Sequence, residues 1–271
     1  MPTAVRTIDA HCHVWPAGTS RFALAPGVAP GERQPADYPI ETHLARLADI
    51  GITATVLVPH IAFYGRDLSY LHDCAARFPG RCAVMGAITG AEVAEPQGLA
   101  TDIARGVRAF RIRAADMAQP MDALCQTLVQ ADAVLCPLIT RAQAVSGALG
   151  MVDDLAGRHP QLRIVLDHFG GAHASPALHA LARRPNIMLK VSDFGAFDIP
   201  PYTVARAATL TLCALFGAHR LMWASNMPVF DHDTRQDLAA AWQTIATAEA
   251  LSASERAAIL GGTADTVFFP H

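Results

Sequence analysis

The stretch "TIDAHCHVW", residues 7–15, sets an apolar, β-prone run around a His-Cys-His triplet. Side chains two apart on a strand point to the same face. His11 and His13 therefore share a face, with Asp9 expected below them and Cys12 pointing away. One buried histidine is an ordinary core residue. Two on one face, at the C-terminal end of a strand, point to a functional site.

Seven similar runs follow: 54–60 ATVLVPH, 83–89 AVMGAIT, 107–113 VRAFRIR, 133–139 AVLCPLI, 163–169 RIVLDHF, 187–193 IMLKVSD and 220–226 RLMWASN. Most are near-continuously apolar, as parallel strands covered by helices must be. The spacers read as helices. Ile40, Leu44, Leu47 and Ile50 recur at helical spacing before Gly51, "TVARAATLTLCALFG" stops at Gly217, and "SASE" at 252–255 is a capping box. Eight strand-helix alternations predict an α/β fold, a (β/α)8 TIM barrel, in a single domain spanning 1–271. An open doubly wound sheet is the alternative, but no glycine-rich phosphate loop follows the first strand. Residues 16–39, rich in Pro and Gly, interrupt the alternation after strand 1. Loops after strands build the active face of a barrel, so this one is expected to be a lid or pocket wall, or else a plain surface loop.

Composition narrows the function. The chain has 271 residues, 52% hydrophobic and 17% charged, enough for a large core and without a disorder signature. A net charge of −3 gives no reason to expect nucleic acid or a membrane surface as partner. Six cysteines are scattered with no C-x-x-C pair, which suits reduced thiols in the cytoplasm. No signal peptide or transmembrane run is apparent, so a cytoplasmic location is expected. Homo-oligomerisation stays open.

Candidate site residues follow from the strand ends. His168 closes strand 6 before two glycines, and Asn226 sits at the same level on strand 8. Arg111 and Arg113 share a face of strand 4, and a planar guanidinium inside a barrel suits a carboxylate, either a substrate's or that of Asp9, Asp116 or Asp167. His60, Tyr64 and Arg66 after strand 2, and Ser192 with Asp193 after strand 7, are further candidates for substrate contacts.

"DAHCHVW", "GVRAFRIR", "LDHFGG", "LKVSD" and "FGAHRLMWASNMPV", in that order, resemble the amidohydrolase superfamily and its lactonase-like branch. That branch includes 2-pyrone-4,6-dicarboxylate lactonase and sugar-lactone hydrolases. "FYGRDLSYLHDCAARFPGRCAVMGAI" (63–88) extends the resemblance over nearly the whole chain. It implies hydrolysis of a lactone or related bond at the barrel mouth; the arginine face argues that this small-molecule substrate is anionic. The resemblance also implies catalytic positions at His11, His13, His168 and Asn226. An isomerase or decarboxylase on the same fold, and a ligand-binding barrel without turnover, are the alternatives.

The sequence departs from the family at Asn226. Members usually carry Asp there, as the group that takes a proton from water. A carboxamide cannot accept that proton. Three readings stand: an introduced substitution, a natural site with another base, or a binding protein without catalysis. Asp231, His232 and Asp233 are candidate bases, or simply the first-turn charges of the next helix. His11, His13 and His168 would suffice for one zinc or other divalent metal. The resemblance also leads one to look for a histidine on strand 5 and a lysine on strand 4; "AVLCPLI" and "FRIR" supply neither. The expectation is therefore no tightly bound cofactor.

The substrate departs from the dicarboxylate lactonase as well. That enzyme has an arginine just after its "DH-x-G" segment, where this chain has Gly171, Ala172 and His173. The apolar "VSDFGAFDIPPY" suits a flatter, less hydroxylated ring than a sugar lactone.

Overall fold

A computed structural model describes residues 6–18, 21–228 and 237–269. Its strands are β1 Ile8–Cys12, β2 Ala54–Leu57, β3 in two pieces (Cys82–Val84 and Gly86–Ile88), β4 Ala109–Arg113, β5 Val134–Leu138, β6 Ile164–Leu166, β7 Ile187–Val191 and β8 Leu221–Trp223. Every neighbouring pair is parallel, and the order around the sheet is the order in the chain. Met85 interrupts β3, so its first piece pairs with β2 and its second with β4. The circle closes from β8 to β1 through two backbone bonds, His13 N to the Met227 carbonyl (2.7 Å) and Asn226 N to the His11 carbonyl (2.9 Å). All eight expected strands form a (β/α)8 barrel.

The spacers fold as helices for the reasons their sequences give. Helix Ile40–Ala48 buries Ile40, Leu44 and Leu47, and the chain turns at Gly51 with φ +78°. Helix Thr203–Phe216 stops at Gly217, φ +82°, and Ser252 caps helix Ala253–Ala257 in a capping box with Glu255.

Two apolar clusters separate the layers. Ile8, Ala10, Val56, Val134, Val165 and Met222 fill the interior together with Phe268 from the last helix. Alternate residues such as Leu57, Phe110, Leu135 and Leu166 pack outward against the helices.

One expectation about β1 is corrected here. Between Asp9 and Cys12 the strand spends three residue steps where β2 spends two, because Asp9 pairs with Thr55 and Cys12 with Leu57. This bulge reverses the alternation. Ile8 and Ala10 face the interior below it, and His11 and His13 do so above it. Asp9 therefore does not lie beneath the histidines. It faces the helix layer, with Oδ2 3.2 Å from His43 Nε2 and Oδ1 accepting the Ser225 amide at 2.8 Å. Cys12 points outward as expected, its sulfur accepting from Thr55 Oγ1.

The long segment after β1 is pinned at both ends. Trp15 and Tyr38 exchange two backbone bonds, and buried Arg33 donates to the Pro16 carbonyl and to Tyr64 Oη. The segment's described residues touch those that follow β2, with Ala25 N donating to the Phe63 carbonyl, and none of them lines the cavity beside His168.

Candidate active site

The bulge puts two imidazoles at the top of the barrel interior, above an ion-pair cluster that the neighbouring strands supply. Asp167, just past β6, forms an ion pair with Lys190 of β7, Nζ to Oδ1 3.0 Å. Arg111 of β4 lies with Nε 3.2 Å from Asp167 Oδ2, close enough for an ion pair although not aligned as a hydrogen bond. His11 Nδ1 is 3.3 Å from Asp167 Oδ1 and 3.4 Å from Lys190 Nζ. All four side chains are buried. Burial alone would raise the Asp167 carboxyl, but Lys190, His11 and Arg111 together hold it well below the usual range.

Burial pushes His11 and His13 well below the ordinary imidazole value; Asp167 opposes this at His11, while His11 and Arg111 reinforce it at His13. His13 Nδ1 lies 2.8 Å from the Val58 carbonyl, which can only accept, so Nδ1 carries the proton and Nε2 a lone pair. That lone pair faces His11 Nε2 at 3.2 Å. With its proton on Nε2, His11 completes a hydrogen bond to His13 and turns its Nδ1 lone pair to Lys190. With the proton on Nδ1, two lone pairs face each other, an arrangement suited to a cation.

His168 reaches the mouth through an unusual turn. His168, Phe169, Gly170 and Gly171 all have positive φ (51°, 53°, 63° and 72°). Such a run costs non-glycine residues roughly 1–2 kcal/mol each. Gly171 has no alternative, since a Cβ there would lie 2.6 Å from the Ile139 carbonyl oxygen. His168 Nδ1 shares a 2.9 Å hydrogen bond with Ser192 Oγ, and its ring centroid is 4.9 Å from that of His11. His60 joins the group from β2, 5.4 Å from His13 and stacked on Phe63. Burial, with Arg111, lowers its pKa to about 4.

His168 and Ser192 open onto a cavity of about 530 Å3. Leu138, Phe169 and Phe197 give it apolar walls, and His173 stacks on Phe197 with centroids 4.4 Å apart. Its charged lining residues are Arg141 and Asp193. Arg141 is exposed and makes no ion pair among the described residues. Asn226, buried, donates from Nδ2 to Asp193 Oδ1 at 3.0 Å.

The structure thus brings His11, His13, His60, His168, Arg111, Ser192 and Asn226 to one end of the barrel. Of these, His168 and Ser192 line the cavity; His11, His13, His60, Arg111 and Asn226 are not among its lining residues, and neither are Tyr64 and Arg66. Tyr64 Oη accepts from Arg33, and Arg66 is engaged with Glu92, Asp102 and the Ala87 carbonyl. Arg113 is exposed beyond Arg111, in register with Leu138 of the cavity wall, and has no ion pair among the described residues. Asp231, His232 and Asp233 lie outside the described residues. Sequence reasoning missed Lys190 as an interior group, and it missed Arg141. Both were signalled, Lys190 by its alternation with Met188 on β7 and Arg141 by its place at the start of the helix Arg141–Val145 that follows β5.

The amidohydrolase family model matches residues 8–269. The chain belongs to the amidohydrolase family. L-fucono-1,5-lactonase of Burkholderia ambifaria is 30% identical over 243 residues, 82% of this chain and 80% of that one. A candidate 2-pyrone-4,6-dicarboxylic acid hydrolase from Pseudomonas putida superposes with a TM-score of 0.71 at 26% identity, covering 97% of each chain. An amidohydrolase from Burkholderia multivorans with bound zinc superposes at 0.72 and 24% identity, over 97% of this chain and 99% of that one. In the present chain, one potential ligand atom from each of His11, Asp167 and His168 lies within 4.8 Å of the others. Among the described residues, no helix is long and apolar enough to cross a membrane.

Proposed function

We propose that this amidohydrolase hydrolyses a carboxylated lactone at the cavity beside His168. The observation that carries this reading is the cluster of three imidazoles, His11, His13 and His168, beside Arg111, Lys190 and Asp167. Arg111 and Lys190 contribute two positive charges to the interior cluster and Asp167 one negative, a net +1 beside His11 and His13, while the Asp193 carboxylate adds a negative charge beside His168; the Arg111–Lys190 side thus carries a positive field. Such a field stabilises the oxyanion that forms when water adds to an ester carbonyl. With the Ser192 hydroxyl donating to Nδ1, His168 presents Nε2–H as the hydrogen-bond donor to that oxygen. The likeness to a fuconolactonase supports the bond type. The apolar walls and the His173–Phe197 stack favour a flat ring over a polyhydroxylated one.

Arg141, lining the cavity, and Arg113, at its rim, are the free cations that would anchor a substrate carboxylate. A charge-assisted hydrogen bond contributes about 1.5–3 kcal/mol. Arg141→Ala is thus expected to raise KM for a carboxylated lactone by about 10–100-fold with kcat nearly constant, and Arg113→Ala to raise it less. Steady-state kinetics on a panel of lactones with and without a carboxylate tests both points. Equal turnover of neutral and anionic lactones would remove the carboxylate from the proposal. Product analysis separates hydrolysis from isomerisation or decarboxylation.

We read the site as working without a tightly held metal. Asp167 is already occupied by Lys190 and Arg111, and both cations adjoin the imidazoles, where they repel a dication. The second reading, one zinc on His11, His13 and His168, is favoured by the 3.2 Å approach of the two Nε2 atoms. A bound zinc would act as a Lewis acid on the carbonyl. Elemental analysis of protein purified without chelators distinguishes them: the expected result is far less than one metal per chain and activity unchanged by EDTA. Stoichiometric zinc would establish the second reading.

A further inference from the structure

We infer that Asp193 is the acid/base of this site, and that Asn226 is the group that positions it. The inference rests on the hydrolytic reading above and supplies the proton carrier that a carboxamide at 226 cannot be.

The geometry is that of an exchange between adjacent strand ends. Asn226 Nδ2 donates to Asp193 Oδ1 at 3.0 Å, which fixes the carboxylate. Asp193 Oδ2 has no hydrogen bond among the described residues and is left to take a proton from water. Were 226 an aspartate, two carboxylates would meet at this contact, and one would have to hold a proton at neutral pH. The amide at 226 removes that conflict, and the carboxylate of the pair stands on β7 instead of β8.

Backbone conformation points the same way. His168, Asp193 and Asn226 end the consecutive strands β6, β7 and β8, and all three are left-handed, with φ of 51°, 62° and 57°. Strain of this kind gathers where side chains must be aimed. Here it turns three consecutive strand ends at the barrel mouth. His168 and Asp193 line the same cavity, so the carbonyl donor and the carboxylate border one space.

Among the described residues, three other carboxylates at these strand ends are committed. Asp167 is sealed beneath Lys190 and Arg111, Asp9 is bound to Ser225 and His43 behind the barrel wall, and Asp198 accepts the amides of Ile199 and Ala205. Asp193 is the acidic residue lining the cavity.

In the step assigned to it, a water oxygen adds to the lactone carbonyl carbon while one water proton passes to Asp193 Oδ2. The carbonyl π electrons move to its oxygen, held by His168. When the C=O re-forms, the bond from carbon to the ring oxygen breaks, and that oxygen leaves with the proton from Asp193. The product is a hydroxy acid, which loses its carboxyl proton to solvent, and Asp193 is again an anion.

The test uses the lactone that the wild type turns over best. Asp193→Asn is expected to lower kcat by about 10²–10³-fold, with KM changed by no more than about threefold and the melting temperature held. Exchanging the pair, Asp193→Asn with Asn226→Asp, returns a carboxylate to the contact and is expected to recover at least about tenfold of the lost kcat. Because the exchange also restores the amide–carboxylate hydrogen bond, the pH profile of kcat separates the roles: an acid/base role gives a limb that Asp193→Asn abolishes, and a purely structural role leaves the profile unchanged. A wild type active on lactones with an equally active Asp193→Asn variant overturns this assignment and leaves the hydrolytic reading intact. A wild type inactive on every lactone overturns both.

Discussion

Replacing Asp167 with Asn is expected to lower the melting temperature by roughly 10 °C, although the change is nearly isosteric and touches no surface. Asp167 is the counter-charge for Lys190 at 3.0 Å and Arg111 at 3.2 Å, and all three are buried. Removing one partner of a buried ion cluster leaves uncompensated charge and costs about 3–5 kcal/mol. In a chain of this size each kcal/mol moves the midpoint by about 2–4 °C. The pH dependence follows from the carboxyl being held well below its usual value of 3.8 despite a burial effect in the opposite direction. A depressed folded-state pKa stabilises above the unfolded value and is lost as pH falls through the folded one. The difference between wild type and variant should therefore be full at pH 7 and shrink below about pH 4. Thermal melts at several pH values measure it. A variant within about 2 °C of wild type at neutral pH would mean that water or anions reach Lys190 and Arg111 and that the cluster is not the sealed unit described.

The barrel was legible because its signals are local. Eight apolar runs and the glycine stops at 51 and 217 depend on nearest neighbours, and they reappear with strand ends shifted by a few residues. His11 and His13 were legible by simple alternation, since the bulge between Asp9 and Cys12 leaves the two on one face. Asp9 was misplaced because a bulge is a mismatch between two strands, and one strand's sequence does not contain its partner's register. Tyr64 and Arg66 show a second limit. Their position after β2 is right for a site, but Arg33, Glu92 and Asp102, far away in sequence, take their polar atoms. Asp193 illustrates a third. Its meaning comes from the 3.0 Å contact with Asn226, and neither residue's neighbours in the chain reveal it.

His168→Ala is expected to cut kcat by about 10²–10³-fold while KM changes little. The size is that of losing one preorganised donor to a developing oxyanion. The split between kcat and KM follows because charge on the carbonyl oxygen is small in the bound ester and large in the transition state. Ser192 gives the argument a second handle. When its hydroxyl, 2.9 Å away, donates to Nδ1, it selects the tautomer with the proton on Nε2. Ser192→Ala removes that selection but leaves the ring and its left-handed turn in place, so a smaller loss, on the order of tenfold, is expected. Combining the two substitutions should cost no more than His168→Ala alone, because the serine acts only through the histidine. An additive double variant would mean that Ser192 contacts the substrate itself. An active His168→Ala enzyme would move the oxyanion site down to the His11–His13 pair, where Arg111 and Lys190 are nearer.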